Sequence, residues 1–242
     1  MIRASLSPLH EAVFRPYILR LMRRQFNAVR LVGEMPSLDD LPVLLLPNHS
    51  TWWDGFLVYL LKIAVLHRPL YLMMLEEQLR KNRFFSHIGV YSIDPNSLRG
   101  NRESLNYTRE LLSRPEKPVV CIFPQGELLP WGARPLGYKR GIELLFRQLT
   151  APVRVITAAI KCEYLAAQHA EAFIQLCDCG VIATGQTAGL SELAQRHEAL
   201  LDELSTRITA REQGKLLLAG KRSINESFES LRKRIGLLRE VK

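Results

Sequence analysis

Apolar residues in this chain fall into short runs bounded by proline or glycine and longer stretches at helical spacing. Residues 43–46, Val-Leu-Leu-Leu between two prolines, read as a buried strand, and the longer run 56–66 reads as a helix. Further short runs at 69–74, 89–94, 119–123, 152–160 and 172–179 predict strands. Between them 76–85, 102–113 and 142–149 predict helices, and 126–137, with two prolines and three glycines, a loop. Strands alternating with helices predict an α/β fold, an αβα sandwich on a largely parallel mixed sheet.

The two ends have a different pattern. In 12–30 the residues Phe14, Tyr17, Ile18, Leu21, Met22 and Val29 recur at helical spacing, with Arg15, Arg20, Arg23, Arg24 and Arg30 on the rest of the surface. This predicts a basic amphipathic helix, with Pro16 in its first turn. Such a helix suits either a membrane interface or packing on the domain with its arginines in water. Near the other end, 191–211 predicts a helix with Ser191 as N-cap. Ile224, Phe228, Leu231, Ile235 and Leu238 predict a last, basic helix. The resulting division is 1–35 for the N-terminal helix, 36–190 for the central domain and 191–242 for a helical extension. No internal repeat or low-complexity tract interrupts it.

Composition narrows the picture. A chain of 242 residues, 47% hydrophobic, is long enough to build a large core without disulfides or a structural metal. Its net charge of +9 implies an anionic partner: nucleic acid, an anionic membrane or a phosphorylated ligand. The arginines lie mainly at the two ends, without the aromatic interleaving of a strand-binding face, which argues against nucleic acid. Cys121, Cys162, Cys177 and Cys179 lack the spacing of a metal site and read as thiols of a reduced compartment. No secretory signal is visible, and no apolar stretch reaches the ~18 residues of a spanning helix. A cytoplasmic protein with peripheral membrane contact is expected.

The candidate chemistry lies between the first apolar runs, in Pro47-Asn48-His49-Ser50-Thr51-Trp52-Trp53-Asp54-Gly55. Five steps along a helix rotate by about 140°, and an odd separation on a strand places side chains on opposite faces. Only a strand–turn–helix lets His49 and Asp54 meet. Asp54 then accepts a hydrogen bond from one ring nitrogen and leaves the other as a base. By spacing alone, a surface histidine and a helix-start aspartate are the commoner description; the flanks decide. A second group, Cys121-Ile122-Phe123-Pro124-Gln125-Gly126-Glu127, also ends a strand, where ligands gather in open α/β sheets.

The first motif resembles the Asn-His-x4-Asp signature of the glycerolipid acyltransferase family, which includes the lysophosphatidate acyltransferases. The resemblance implies that His49 and Asp54 are catalytic and that the fold is glycerol-phosphate-acyltransferase-like. The second group resembles that family's Phe-Pro-Glu-Gly-Thr-Arg-Ser block, which lines the acceptor pocket. Phe123, Pro124 and Gly126 match, Gln125 replaces Glu, and Glu127 and Leu128 stand where the family has Thr and Arg. The Arg that the family uses to grip an acceptor phosphate is therefore missing. Arg134, Lys139 or Arg140 can substitute from the following loop, or the acceptor lacks a phosphate. Residues 89–94 resemble the Gly-x-x-Phe-Ile-Asp-Arg block with Pro95 in place of Arg and Arg99 as the nearest cation. Residues 151–153 resemble the fourth block.

The expected activity is transfer of a fatty acyl group from acyl-coenzyme A or acyl carrier protein to a hydroxyl of a lysophospholipid or related lipid. His49 is the base, and no metal or prosthetic group is needed. Oxyanion donors are expected among the backbone amides after His49 or around Gly126. Trp52, Trp53 and Phe56 are candidates for the acyl groove. A hydrolase using the same dyad and a non-catalytic membrane-surface protein are the alternatives. Ser50 lacks the Gly-x-Ser-x-Gly elbow of a nucleophilic serine.

Overall fold

A computed structural model describes residues 1–38, 40–186 and 189–220. Its strands are β1 (Phe26–Leu31), β2 (Val43–Pro47), β3 (Leu70–Leu75), β4 (Val90–Ile93), β5 (Val119–Cys121), β6 (Val153–Glu163), β7 (Ala170–Ile182) and β8 (Lys215–Ala219). They form one sheet in the order β4-β3-β5-β2-β6-β7-β1-β8. From β4 to β6 the strands run parallel; β7 turns back on β6, β1 lies parallel to β7, and β8 is antiparallel to β1.

The helices are α1 (Pro8–Gln25), α2 (Asp54–Leu61), α3 (Glu76–Lys81), α4 (Leu98–Leu112), α5 (Gly141–Arg147) and α6 (Leu190–Thr209). Central β2 shows why the layers form. Val43 and Leu45 pack with Phe14, Ile18 and Met22 of α1 and Leu57 and Leu61 of α2. Leu44 and Leu46 point the other way, toward Leu105 and Leu111 of α4 and Leu145 and Phe146 of α5. A strand covered on both faces needs a continuous apolar run, not an alternating one. On the second face α6 adds Leu200, Leu201 and Leu204 against Ala159 and Phe173. The αβα sandwich on a largely parallel sheet follows.

Several boundaries differ from the expectation. The first helix starts earlier, capped by the Ser7 hydroxyl, and ends at Gln25, so Val29 belongs to a strand. Pro16 sits inside that helix, not in its first turn. The hydrogen bond it cannot make is to Ala12, on an exposed stretch where water can serve the carbonyl. Tyr17, assigned to the apolar face, is 62% exposed. Helix α6 is capped by Gly189, which leaves Ser191 in its first turn. Residues 56–66 begin as α2 and finish as a π-helical turn, Lys62–Leu66, ended by His67 in the left-handed region. The divisions at 35 and 190 do not separate cores, because β1 lies within the sheet and α6 packs on it. The helix expected on Ile224, Phe228, Leu231, Ile235 and Leu238 lies outside the described residues.

Candidate active site

The parallel neighbours β2 and β5 both end at one edge of the sheet, which places the two motifs side by side. After Pro47 the chain turns through residues 48–53 and enters α2 at Asp54. The turn is built around the Asp54 carboxylate, which is fully buried. Its Oδ2 accepts from the Ser50 amide (2.6 Å), the Thr51 amide (2.8 Å) and His49 Nδ1 (2.9 Å). Its Oδ1 accepts from the Thr51 hydroxyl (2.6 Å), which also accepts from the Trp53 amide (3.2 Å). A carboxylate at a helix start is favoured by the free amides and the helix dipole there.

This arrangement fixes the imidazole. Because Asp54 Oδ2, with two backbone amides on it, accepts, Nδ1 donates, and in the neutral ring the lone pair is on Nε2. The ring stacks on Phe123, with centroids 4.1 Å apart and planes 20° off parallel, and its side chain remains 25% exposed. Asn48, one residue earlier, is pinned to β6: it donates to Ile160 O (3.0 Å) and accepts from Ile160 N (2.7 Å). The Ser50 hydroxyl accepts from Asn48 Nδ2 (3.3 Å).

The model of the family described as Acyltransferase matches residues 28–161, more than half of the chain. The chain belongs to the Acyltransferase family. Among solved structures, the acyltransferase is similar to the crystal structure of the 1-acyl-sn-glycerophosphate (LPA) acyltransferase, PlsC, from Thermotoga maritima. The TM-score is 0.51 at 14% identity over 83% of each chain, a likeness of fold. No curated protein matches the sequence.

The other candidate residues of the acyltransferase are placed as follows. Gln125 is buried, and its Oε1 accepts from the His49 amide (2.6 Å), so it braces the turn. Pro124 O accepts from the Lys139 amide (2.8 Å). Gly126 adopts φ +70°, a left-handed conformation that favours glycine, beneath the Lys139 side chain. Lys139 Nζ pairs with Glu127 (2.9 Å). Arg134 is turned toward α6, bonding Asp202 (2.9 Å), and Arg140 is an exposed residue at the start of α5. Arg99 is exposed and pairs with Glu103 (3.0 Å) on α4, which follows β4; strands β3 and β5 separate β4 from β2.

The amides expected to face an oxyanion are in part engaged within the protein. Those of Ser50 and Thr51 hold Asp54, and that of Gly126 donates to Phe123 O (3.1 Å). Trp53 packs edge-on against Phe26 and Phe56 is half-buried near Phe14, whereas Trp52 is 63% exposed. Among the described residues, no three His, Cys, Asp or Glu side chains converge as a metal site.

Sequence reasoning missed Thr51 as a donor to Asp54, and it missed His197. The latter lies on the apolar stripe of α6 with Leu193, Leu200, Leu201 and Leu204, and a histidine among leucines was the available signal. Its Nε2 donates to Ala158 O (3.0 Å), and in the neutral ring its Nδ1 accepts from the Tyr138 hydroxyl (2.7 Å). Burial pushes this imidazole down to about 4 from an ordinary 6.5. Between these values the unfolded chain takes up a proton that the folded one refuses. Stability is therefore full above pH ~6.5, falls with pH through that window and levels off below ~4. From pH 7 to pH 5 the loss from this group is about 2 kcal/mol. Urea midpoints at the two pH values should drop further for the wild type than for His197→Gln.

Proposed function

We propose that this acyltransferase moves a fatty acyl group from an acyl thioester to a hydroxyl of a lysophospholipid or related lipid, with His49 as general base. The observation that carries the reading is the His49 ring: Nδ1 is held by buried Asp54, and Nε2 is free to take a proton at the partly exposed edge of the sheet. The acceptor oxygen attacks the thioester carbonyl carbon as its proton passes to Nε2. The resulting imidazolium is stabilised by the Asp54 carboxylate. As the tetrahedral intermediate collapses, the C–S bond breaks and the proton leaves with the thiolate. One ester forms, one thioester is consumed, and no acyl-enzyme is needed. Ser50 is engaged with Asn48, which supports direct transfer over a serine nucleophile.

The decisive assay uses purified protein with labelled acyl-coenzyme A or acyl carrier protein, and compares lysophosphatidate with phosphate-free hydroxylated lipids. Esterified acceptor is the expected product. Free fatty acid alone, whatever the acceptor, would identify a hydrolase, and no turnover on any acceptor would remove the enzymatic reading. The Lys139 side chain lies over Gly126, but it is already paired with Glu127, so a phosphate bound there has to compete with that carboxylate.

Peripheral contact with an anionic bilayer is part of the proposal. In the described residues no helix is long and apolar enough to cross a membrane. Leu9, Val13 and Tyr17 form one stripe on α1, 72%, 59% and 62% exposed, with Arg20 and Arg24 continuing it. Apolar side chains flanked by arginines suit a headgroup–acyl boundary. The double variant Leu9→Glu/Val13→Glu should bind vesicles containing anionic lipid at least about tenfold more weakly, since each burial is worth ~2 kcal/mol. It should keep the melting temperature, because neither side chain is in the core. Unchanged co-sedimentation would remove this face from the account.

A further inference from the structure

We propose that His197 and Tyr138 are positioning residues that hold the turn bearing His49 and the loop bearing Gln125 in one frame. The proposal rests on the reading of His49 as the base.

Its basis is a closed circuit of bonds around the dyad. The carbonyl of Ala158 on β6 accepts twice, from the Asn48 amide (3.3 Å) and from His197 Nε2 (3.0 Å). Asn48 is covalently next to His49, and the His49 amide donates to Gln125 Oε1 (2.6 Å). Gln125 follows Pro124, whose carbonyl accepts from the Lys139 amide (2.8 Å). Lys139 follows Tyr138, whose hydroxyl donates to His197 Nδ1 (2.7 Å) and closes the ring. His197 thus joins the two loops through its two nitrogens, one to each side.

A packing role alone does not explain an imidazole there. The side chain is fully buried among leucines, where leucine or methionine would fill the space without desolvating two polar atoms. Burial also keeps the Tyr138 phenol protonated, so it remains a donor. Only a residue that donates and accepts at opposite ends completes both halves of the circuit. Helix α6 lies beyond residues 28–161, the stretch matched by the family model, so this brace comes from a part of the chain the model does not reach.

The test compares wild type, His197→Leu, His197→Gln and Tyr138→Phe, each checked for folding by thermal melting. A displacement of about 1 Å in reacting groups can cost ~100-fold in rate. His197→Leu should therefore lower kcat by about 10- to 100-fold, with the KM for acyl-coenzyme A within about threefold. His197→Gln retains an N–H that reaches Ala158 O and should recover most of the loss. Tyr138→Phe cuts one half of the ring and should give a smaller fall in kcat, about 3- to 10-fold. A folded His197→Leu with kcat within twofold of wild type overturns the proposal, as does equal impairment of the Leu and Gln variants. If His197→Leu does not fold, a folded Tyr138→Phe with unchanged kcat overturns it. Activity surviving in His49→Ala would instead sink the base assignment beneath it. Loss in His49→Ala alongside a normal His197→Leu would sink this inference alone.

Discussion

His49→Ala is expected to reduce acyl transfer by about 10²–10⁴-fold in kcat, the range a positioned general base supplies. The variant isolates chemistry from folding because the backbone of residue 49 carries the structural bonds. Its amide donates to Gln125 Oε1 (2.6 Å) and its carbonyl accepts from the Leu129 amide (2.9 Å), and alanine keeps both. The Asp54 carboxylate loses one donor and retains the Ser50 and Thr51 amides and the Thr51 hydroxyl. The side chain forfeits its stacking on Phe123, worth about 1 kcal/mol. Melting temperature should fall slightly while turnover nearly vanishes. Ser50→Ala is the control: its hydroxyl accepts from the Asn48 side-chain Nδ2 at 3.3 Å, and activity should stay within a few-fold. Rates near wild type for His49→Ala, measured as labelled ester formed at saturating donor, would refute the mechanism.

The parts legible from sequence are those whose partners are close in the chain. His49 and Asp54 are five positions apart, and all donors to that carboxylate lie within the same turn, so spacing and a strand–turn–helix pattern suffice to bring them together. The apolar run of β2 was equally readable because both its faces are covered. β1 was not. Its pairing slips between Phe26 and Ala28 and again between Val29 and Arg30, which breaks the alternation of two and leaves Phe26 and Val29 at helical spacing. The strands that settle the matter, β7 and β8, are far along the chain. β8 itself buries only Leu218 and carries almost no pattern. The same distance hides His197 and Tyr138, whose contacts with each other and with Ala158 span 59 and 39 residues. Arg99 and Arg134 illustrate the limit for charges: sequence offers both as substrate-binding cations but does not show their pairings, Arg99 with Glu103 on its own helix and Arg134 with Asp202 on α6.

Asp54→Asn should separate the two duties of the carboxylate. The side chain is fully buried, with three donors on Oδ2 and one on Oδ1. Asparagine can place its oxygen at the Oδ2 site and its amide toward Thr51, whose hydroxyl rotates to accept, so every group keeps a partner. The fold should survive with a loss of about 1–2 kcal/mol from the charge-assisted bonds. Catalysis should not survive. The imidazolium that forms when His49 takes the proton then faces a neutral amide, and kcat should fall by about 10²–10⁴-fold, as when Asn replaces the orienting Asp of a Ser-His-Asp triad. Asp54→Ala removes the acceptor altogether, strands two amides and an imidazole N–H, and should cost about 3–5 kcal/mol of stability as well. Denaturant titration and turnover on the same preparations distinguish these outcomes. Because the carboxylate acts through the ring, the double variant His49→Ala/Asp54→Asn should be no slower than His49→Ala alone. Multiplying losses would mean that Asp54 touches the reaction independently, and a fast Asp54→Asn enzyme would mean that something other than this carboxylate sets the proton on His49.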